Sequence, residues 1–237
     1  MADAFLTCEL ACIRNSAIVA EMDMRICIKR VGEAAKLGIN VCFRKLRFVV
    51  FNRHRKANEG RSLFCNNCVG ALVLHDYGLR FDAPTVNLLI HPKDFVEMLS
   101  HLGAYMQADM EDITNGNRCP VGLLGGRIQL FFHHYASFDK AKAAWKHRAK
   151  RVDYDNIYAV LVERDGCTYE DLQNFDRLPI KRKVALVHKE YPEIRCAYVV
   201  RGTLEGEALG QIIAFRGCFG KRYYDQFDWA RFLDLSR

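Results

Sequence analysis

The chain has 237 residues, half of them apolar and 27% charged. That balance belongs to a globular protein with a buried core and excludes a mainly disordered chain. No apolar run reaches the roughly eighteen residues that a membrane span needs. Residues 1–24 hold Asp3, Glu9, Glu21 and Asp23 and lack a basic start followed by an apolar stretch. No secretory signal is expected, and the reading is cytoplasmic.

The net charge of +7 is uneven. Residues 1–60 carry 11 basic and 6 acidic side chains, against 24 and 22 in the remainder. The excess lies in FRKLRFVVFNRHRKANEGR. A solvated helix face is the plain reading. A surface resting on anionic lipid or an anionic glycan carrier, peripheral at the inner membrane face, is the functional one. Nucleic acid is not expected, since no binding motif accompanies the charge. Ten cysteines are spread from Cys8 to Cys218. In a cytoplasmic chain they should be reduced, and most should be buried as small apolar residues.

In chain order, residues 1–23 read as a tail. Residues 24–57 read as one or two basic amphipathic helices broken near Gly38, which makes 1–57 a helical basic extension. From residue 58 to 237 the pattern becomes that of an α/β domain. SLFC is a short apolar strand, and VGALVLHDYG is a helix stopped by Gly78. Residues 84–90 are extended, and 91–106 form a helix with Pro92 in its first turn. Residues 125–135 form a strand. A helix starts at Ser137, with Phe138, Ala141, Trp145, Ala149 and Val152 on one face. NIYAVLVE is a buried strand, and Thr168 with Asp171 forms an approximate capping box for the next helix. KVALVH is a further strand, AYVVRG and GQIIAF a late pair, and FDWARFLDL a closing helix.

Strands alternating with helices predict a mainly parallel sheet with helices on both faces. Ligands then bind outside the carboxyl ends of the strands. Those ends carry CNNC (65–68), FHHY (132–135), ERDG (163–166) and VHKE (187–190), which one parallel sheet would bring to a common edge.

Cys68, just before a helix, is a candidate nucleophile, because the positive helix end favours a thiolate. Asn66 and Asn67 could donate to a developing oxyanion, or simply cap the helix in a tight turn. By strand periodicity His133 and His134 face opposite ways, and His134 is the candidate general base. Asp165 could orient that histidine or a sugar hydroxyl, and Arg164 could meet an anionic group; a plain turn at Asp165–Gly166 is the alternative. DYD (153–155) has the shape of a metal-binding Asp-x-Asp but precedes a strand, and Cys65 with Cys68 lacks a second ligand pair, so no metal is expected. In GKRYYDQFDWARFLD, Lys221, Arg222, Asp225 and Asp228 could hold a phosphate or sugar, or the aromatic residues could dock the terminal helix.

NNCVGALVLHDYGLRFDAPTV, FFHHYASFDKAKAAWKHRAKRVDYDNIYAVLVERDGCTYEDLQNFDRLP and GKRYYDQFDWARF together resemble an uncharacterised bacterial family often labelled exopolysaccharide biosynthesis proteins, under a domain-of-unknown-function name. The resemblance runs from about Ser62 to the C-terminus. It implies a three-layer α/β/α architecture and an association with capsule or exopolysaccharide gene sets. The matching positions include Asn66, Asn67, Cys68, Pro84, Thr85, His134, Tyr135, Trp145, Arg148, Asn156, Arg164, Asp165, Asp176, Gly220, Lys221, Arg222, Tyr223, Tyr224, Asp228 and Trp229. Three departures stand out. Cys65 replaces a frequent Ser, Asp153 a frequent Asn, and Val69-Gly70-Ala71 a usual Trp-Gly-Gly.

Two expectations follow. One is an acyltransferase or esterase acting on a surface glycan or its precursor. In it Cys68, His134 and Asp165 are catalytic. Asn66, Asn67, Arg148, Arg164, Lys221, Arg222, Tyr223 and Asp228 bind substrate, and the donor is an acyl-coenzyme A. The other is a non-catalytic accessory protein that binds a glycan or nucleotide sugar; a glycosyltransferase using a nucleotide-sugar donor stands behind both. The serine-hydrolase elbow G-x-S-x-G does not occur, and GLLGG (122–126) precedes a strand rather than the helix a phosphate loop needs.

Overall fold

The computed structural model describes residues 32–46 and 60–235. Among these, residues 32–46 with 215–221 form one unit, and residues 60–214 with 222–235 form another.

The smaller unit is built on helix α1, described through residues 32–46. It runs through Gly38 without the expected break; the remainder of the 24–57 stretch and the 1–23 tail lie outside the described residues. Only Asn40 and Arg44 of α1 are buried. Asn40 Nδ2 donates to Gly217 O at 2.9 Å, and its Oδ1 accepts from the Gly220 N–H at 2.8 Å. Arg44 Nη1 donates to Gly220 O at 2.8 Å. Gly220 has φ 67°, and a Cβ there would lie 2.5 Å from Arg44 N, so only glycine fits.

The larger unit is mixed α/β. Its principal sheet has four parallel strands in the order β1 (Ser62–Cys65), β5 (Ile157–Val162), β6 (Arg182–Val187) and β7 (Ala197–Val199). Strand β5 is almost wholly apolar because both its faces are covered. Ala159 and Leu161 join a cluster containing Phe95, Trp145, Leu172 and Phe175, carried by α3 (Pro92–Ser100), α5 (Phe138–Ala149) and α6 (Tyr169–Arg177). Tyr158, Val160 and Val162 join a second cluster with Val69, Val73 and Leu74 of α2 (Val69–Asp76) and with Tyr224, Trp229 and Leu233 near the C-terminus. The helix caps follow the sequence. Ser137 Oγ accepts from the Lys140 N–H, and Thr168 and Asp171 form the reciprocal box.

Several elements differ from expectation. The strand expected over 125–135 is β4 (Ile128–Phe131), and it is absent from the parallel sheet. It pairs antiparallel with β3 (Val121–Leu124), which pairs with β2 (Met110–Asp112). Single-strand periodicity does not encode the choice of partner. The helix expected over 91–106 divides at His101 into α3 and α4 (Leu102–Gln107). The GQIIAF segment is not a strand; a short antiparallel pair, β8 (Leu204–Glu205) and β9 (Ala208–Leu209), precedes it. The closing helix is brief, α7 (Trp229–Phe232), after a 3-10 turn at Tyr223–Gln226. Among the described residues no helix is long and apolar enough to cross a membrane.

One short segment decides where the site lies. Residues 84–90 run between the two sheets: Leu89 exchanges two 2.9 Å backbone hydrogen bonds with Phe131 at the end of β4, and Ile90 N–H donates to Asn66 O just beyond β1 at 2.8 Å. The ends of β1 and β4 thereby meet although they belong to different sheets.

Candidate functional site

Asn66 fixes the turn after β1. It is fully buried, donating from Nδ2 to Val162 O at 3.2 Å and accepting at Oδ1 from the Val162 N–H at 2.9 Å. Its side-chain amide is committed to β5 and is not turned to an oxyanion. Asn67 Oδ1 accepts from the Val69 N–H at 3.1 Å, which starts α2. Helix α2 then passes very close to β1. A Cβ on Gly70 would lie 2.6 Å from Cys65 Cβ, so the first glycine after the cysteine pair is required by packing.

This turn places Cys68 at the N-cap of α2, half-buried, with Sγ 3.5 Å from His134 Nε2. His134 comes from the 132–135 turn that follows β4, where Phe132 N–H donates to Pro120 O and Tyr135 N–H to Phe132 O. Thiol and imidazole are therefore in contact, as the edge argument expected, but through the 84–90 segment instead of a shared parallel sheet. Burial raises the Cys68 pKa above the ordinary thiol value. The resting group is a thiol, with the His134 imidazole as the nearest group placed to take its proton. Cys65, fully buried, is pushed by burial up to about 12 and donates to Asn67 Oδ1 at 3.6 Å, so it serves as a packed thiol.

A cavity of about 160 Å³ opens beside Cys68. It is lined by Asn67, Cys68 and Val69, by Leu88, Leu89 and His133, by Arg164 and Asp165, and by Gln211, Ile212 and Ile213. His134 touches the thiol but does not line this cavity, whereas His133 does. Arg164 Nη1 donates to Gly210 O at 3.1 Å, and its guanidinium pairs with Glu205 at 3.2 Å and with its neighbour Asp165 at 3.4 Å. The Asp165 carboxylate thus shares the cavity wall with Cys68 but is paired with Arg164, not His134. Its backbone is left-handed, with φ 56°, and its carbonyl lies 3.1 Å from His91 Nδ1. The arrangement is a thiol–imidazole pair with a separate acid–base-rich wall, rather than a linear triad.

The other expected binding residues lie elsewhere. Arg148 Nη1 donates to the Tyr135 hydroxyl at 2.6 Å, which stiffens the histidine turn. Lys221 belongs to the smaller unit. Arg222 N–H donates to Asp225 at 2.7 Å, and Asp228 Oδ1 accepts from the Arg231 N–H as the cap of α7. Tyr223 packs beside the second core cluster. None of these five lines the cavity beside Cys68. Tyr224 and Trp229 are the terminal anchors: Tyr224 donates to Asp76 at 2.6 Å and Trp229 Nε1 to Tyr224 O at 2.8 Å. Asp153 accepts from the Asp155 N–H at 3.1 Å in a helix-to-strand turn. Among the described residues no group of three or more His, Cys, Asp or Glu side chains is placed to hold a metal.

Sequence reasoning missed His91, Gln211 and the aliphatic wall. His91 was visible only as the residue before Pro92, and Gln211 lay inside an apolar run that resembled a strand. It also missed a buried polar network on the same edge. The Glu163 carboxylate accepts from His188 N–H at 2.7 Å, lies 2.6 Å from His188 Nδ1, and accepts from the Tyr191 hydroxyl at 2.5 Å. Burial, together with that carboxylate, raises the Tyr191 pKa. Burial first, then the charges of Asp171 and Glu163, push Cys167 up to about 12.

Comparison with known proteins agrees with the extent of this fold. An "Uncharacterized protein" of Haemophilus influenzae is 36% identical over 182 residues, covering 77% of this chain and 88% of the relative. The family model described as "Domain of unknown function (DUF1919)" matches residues 39–234, which include both β1–α2 and the histidine turn. The chain therefore belongs to the DUF1919 family.

Proposed function

We propose that Cys68 and His134 form a nucleophile–base pair for acyl chemistry on a surface glycan or glycan precursor, in exopolysaccharide or capsule biosynthesis. The 3.5 Å Sγ–Nε2 contact beside a cavity carries this reading. With His134 protonated at Nδ1, Nε2 takes the thiol proton as Sγ attacks the acyl carbonyl carbon. A C–S bond forms and the carbonyl electrons move to oxygen. Collapse expels the leaving alcohol or coenzyme A thiol, which takes the proton from the imidazolium. The thioester then passes its acyl group to a sugar hydroxyl, or to water, and the thiol is restored. Asn67 Nδ2 is the side-chain donor closest in sequence to the thiol for the transient oxyanion, and Arg164 with Asp165 supplies the polar wall for an anionic or hydroxylated substrate.

The frame around this site is read as a three-layer α/β/α sandwich and the working location as the cytoplasm. A non-catalytic binder of a glycan or nucleotide sugar is the second reading, favoured by one observation: Asp165 is paired with Arg164 and does not orient His134. Incubation with acyl-coenzyme A species and chromogenic esters separates the two. Acyl-enzyme formation on Cys68, lost in Cys68→Ala and His134→Ala proteins that remain folded, supports the catalytic reading. Full activity in both variants ends it. A nucleotide sugar that raises Tm equally in wild type and variants, with no turnover, favours the binder.

A further inference from the structure

The smaller unit has its polarity inverted. Helix α1 is fastened through Asn40 and Arg44, which bury their polar side chains against the 217–220 turn. Its apolar residues face outward. Ala35, Ile39, Cys42, Phe43 and Leu46 follow one another at steps of four, three, one and three, which places them on one helical face, and all five are exposed. Ile39 is 49% exposed and Leu46 59%. Phe219, 71% exposed, extends this face by packing edge-on against Phe43, with ring centroids 5.7 Å apart. At 100° per residue, Lys36 and Lys45 fall on either border of the stripe, and both are exposed.

We infer that α1 and the 217–220 turn form a platform that docks on an anionic lipid bilayer, with Ile39, Phe43, Leu46 and Phe219 entering the acyl boundary and the flanking lysines meeting lipid phosphates. Charge decides the occupant. The described residues of this unit, 32–46 and 215–221, carry five basic and one acidic side chain, net +4. A second copy would bring that excess against itself, whereas an anionic surface attracts each Lys and Arg. The geometry is that of a helix lying in the interface plane: an apolar face from Ala35 to Leu46 with lysines at its borders, Leu37 and Val41 being exposed off that face, and, among the described residues, no apolar run long enough to span.

The test is co-sedimentation of the full chain with vesicles of phosphatidylglycerol and phosphatidylcholine, against phosphatidylcholine alone. Binding to the anionic vesicles only, falling as salt is raised, is expected. The double variant Ile39→Glu with Phe43→Glu should lower the partition coefficient about tenfold or more, because two apolar side chains no longer leave water. Both positions are exposed, so its circular dichroism should match wild type. Lys36→Glu with Lys45→Glu should weaken binding while leaving the apolar face intact. No sedimentation of the full chain with anionic vesicles overturns the inference, as does equal binding by the Ile39/Phe43 variant. A concentration-dependent dimer of wild type, dispersed by those same substitutions and indifferent to vesicles, would give the face to a second copy and overturn it too.

Discussion

Asn66 and Val162 exchange two hydrogen bonds, one in each direction, 96 residues apart in sequence: Asn66 Nδ2 donates at 3.2 Å and Asn66 Oδ1 accepts at 2.9 Å. The pair continues the β1–β5 ladder past the last strand residue of β1 and fixes where the turn to Cys68 begins. Replacing Asn66 by Ala leaves the buried Val162 N–H without its acceptor, whereas Val162 O keeps the Arg164 N–H at 2.9 Å. A loss of about 1–3 kcal/mol is expected in urea unfolding, the usual cost of one unsatisfied buried group. Asn66→Asp should be worse, because it sets a buried carboxylate against the Val162 carbonyl oxygen. A change below about 0.5 kcal/mol would mean that the clamp is dispensable.

Gly70 tests the same turn through packing. An alanine Cβ would press to 2.6 Å from Cys65 Cβ on a neighbouring backbone, which must shift. Gly70→Ala should cost about 1–3 kcal/mol, the usual range for overpacking. Reducing Cys65 to glycine in the same chain should recover part of it, and the double-mutant cycle measures that coupling. Additive effects of the two substitutions would contradict a direct contact.

Burial holds Cys68 above the ordinary thiol pKa. At pH 7 its alkylation by iodoacetamide should therefore be slow, rising through and beyond pH 9 as the thiolate forms. Removal of the neighbouring imidazole in His134→Ala should slow any acyl transfer by about 10²–10⁴-fold, the usual contribution of a positioned base. Peptide mass spectrometry of the labelled protein reads Cys68 separately from the other thiols.

Cys65, Cys167 and Cys196 are each pushed up to about 12 from 9.0, in every case chiefly by burial. The unfolded chain releases these protons near pH 9, while the folded one retains them. Stability is thus intact below about 9 and falls as pH rises toward 12. Tm measured from pH 8 to 11 should decline, and a Cys65→Ala protein should decline less steeply over that window. Parallel curves would remove Cys65 from the alkaline transition.

Glu163 should prove costly to remove. Its carboxylate serves His188 and Tyr191 in a nearly dry site, and Glu163→Ala leaves those donors without their acceptor. Breaking such a buried set costs about 3–5 kcal/mol. Chemical denaturation measures it, and near-neutrality would show that water replaces the carboxylate.

What could be read from the residues alone depended on how local the cause was. Strands β5 and β6 were legible because their runs are apolar on both faces, and α6 because Thr168 and Asp171 sit three apart. The contact of Cys68 with His134 was expected, but the reason given for it was incomplete. β4 reads as a strand from its own residues, and its partner β3 lies just before it across the Gly125–Arg127 turn, a hairpin that the parallel-sheet reading missed. Period-two logic also ends at Phe131, so it does not govern the two histidines, which stand in a turn. Asn66 resembled a donor for chemistry because its partner, Val162, is distant in sequence. Likewise the Ile212 region packs as irregular chain, held by the Tyr224 N–H donating to Ile212 O, which apolar composition does not foretell.

The residues 84–90 have a mechanical meaning. The sulfur is mounted on one sheet and the imidazole on the other, and the paired amides of Leu89 and Phe131 rivet the two mountings together. For the chemistry proposed for Cys68, whatever loosens that rivet, however remote from the cavity, would widen the Sγ–Nε2 gap.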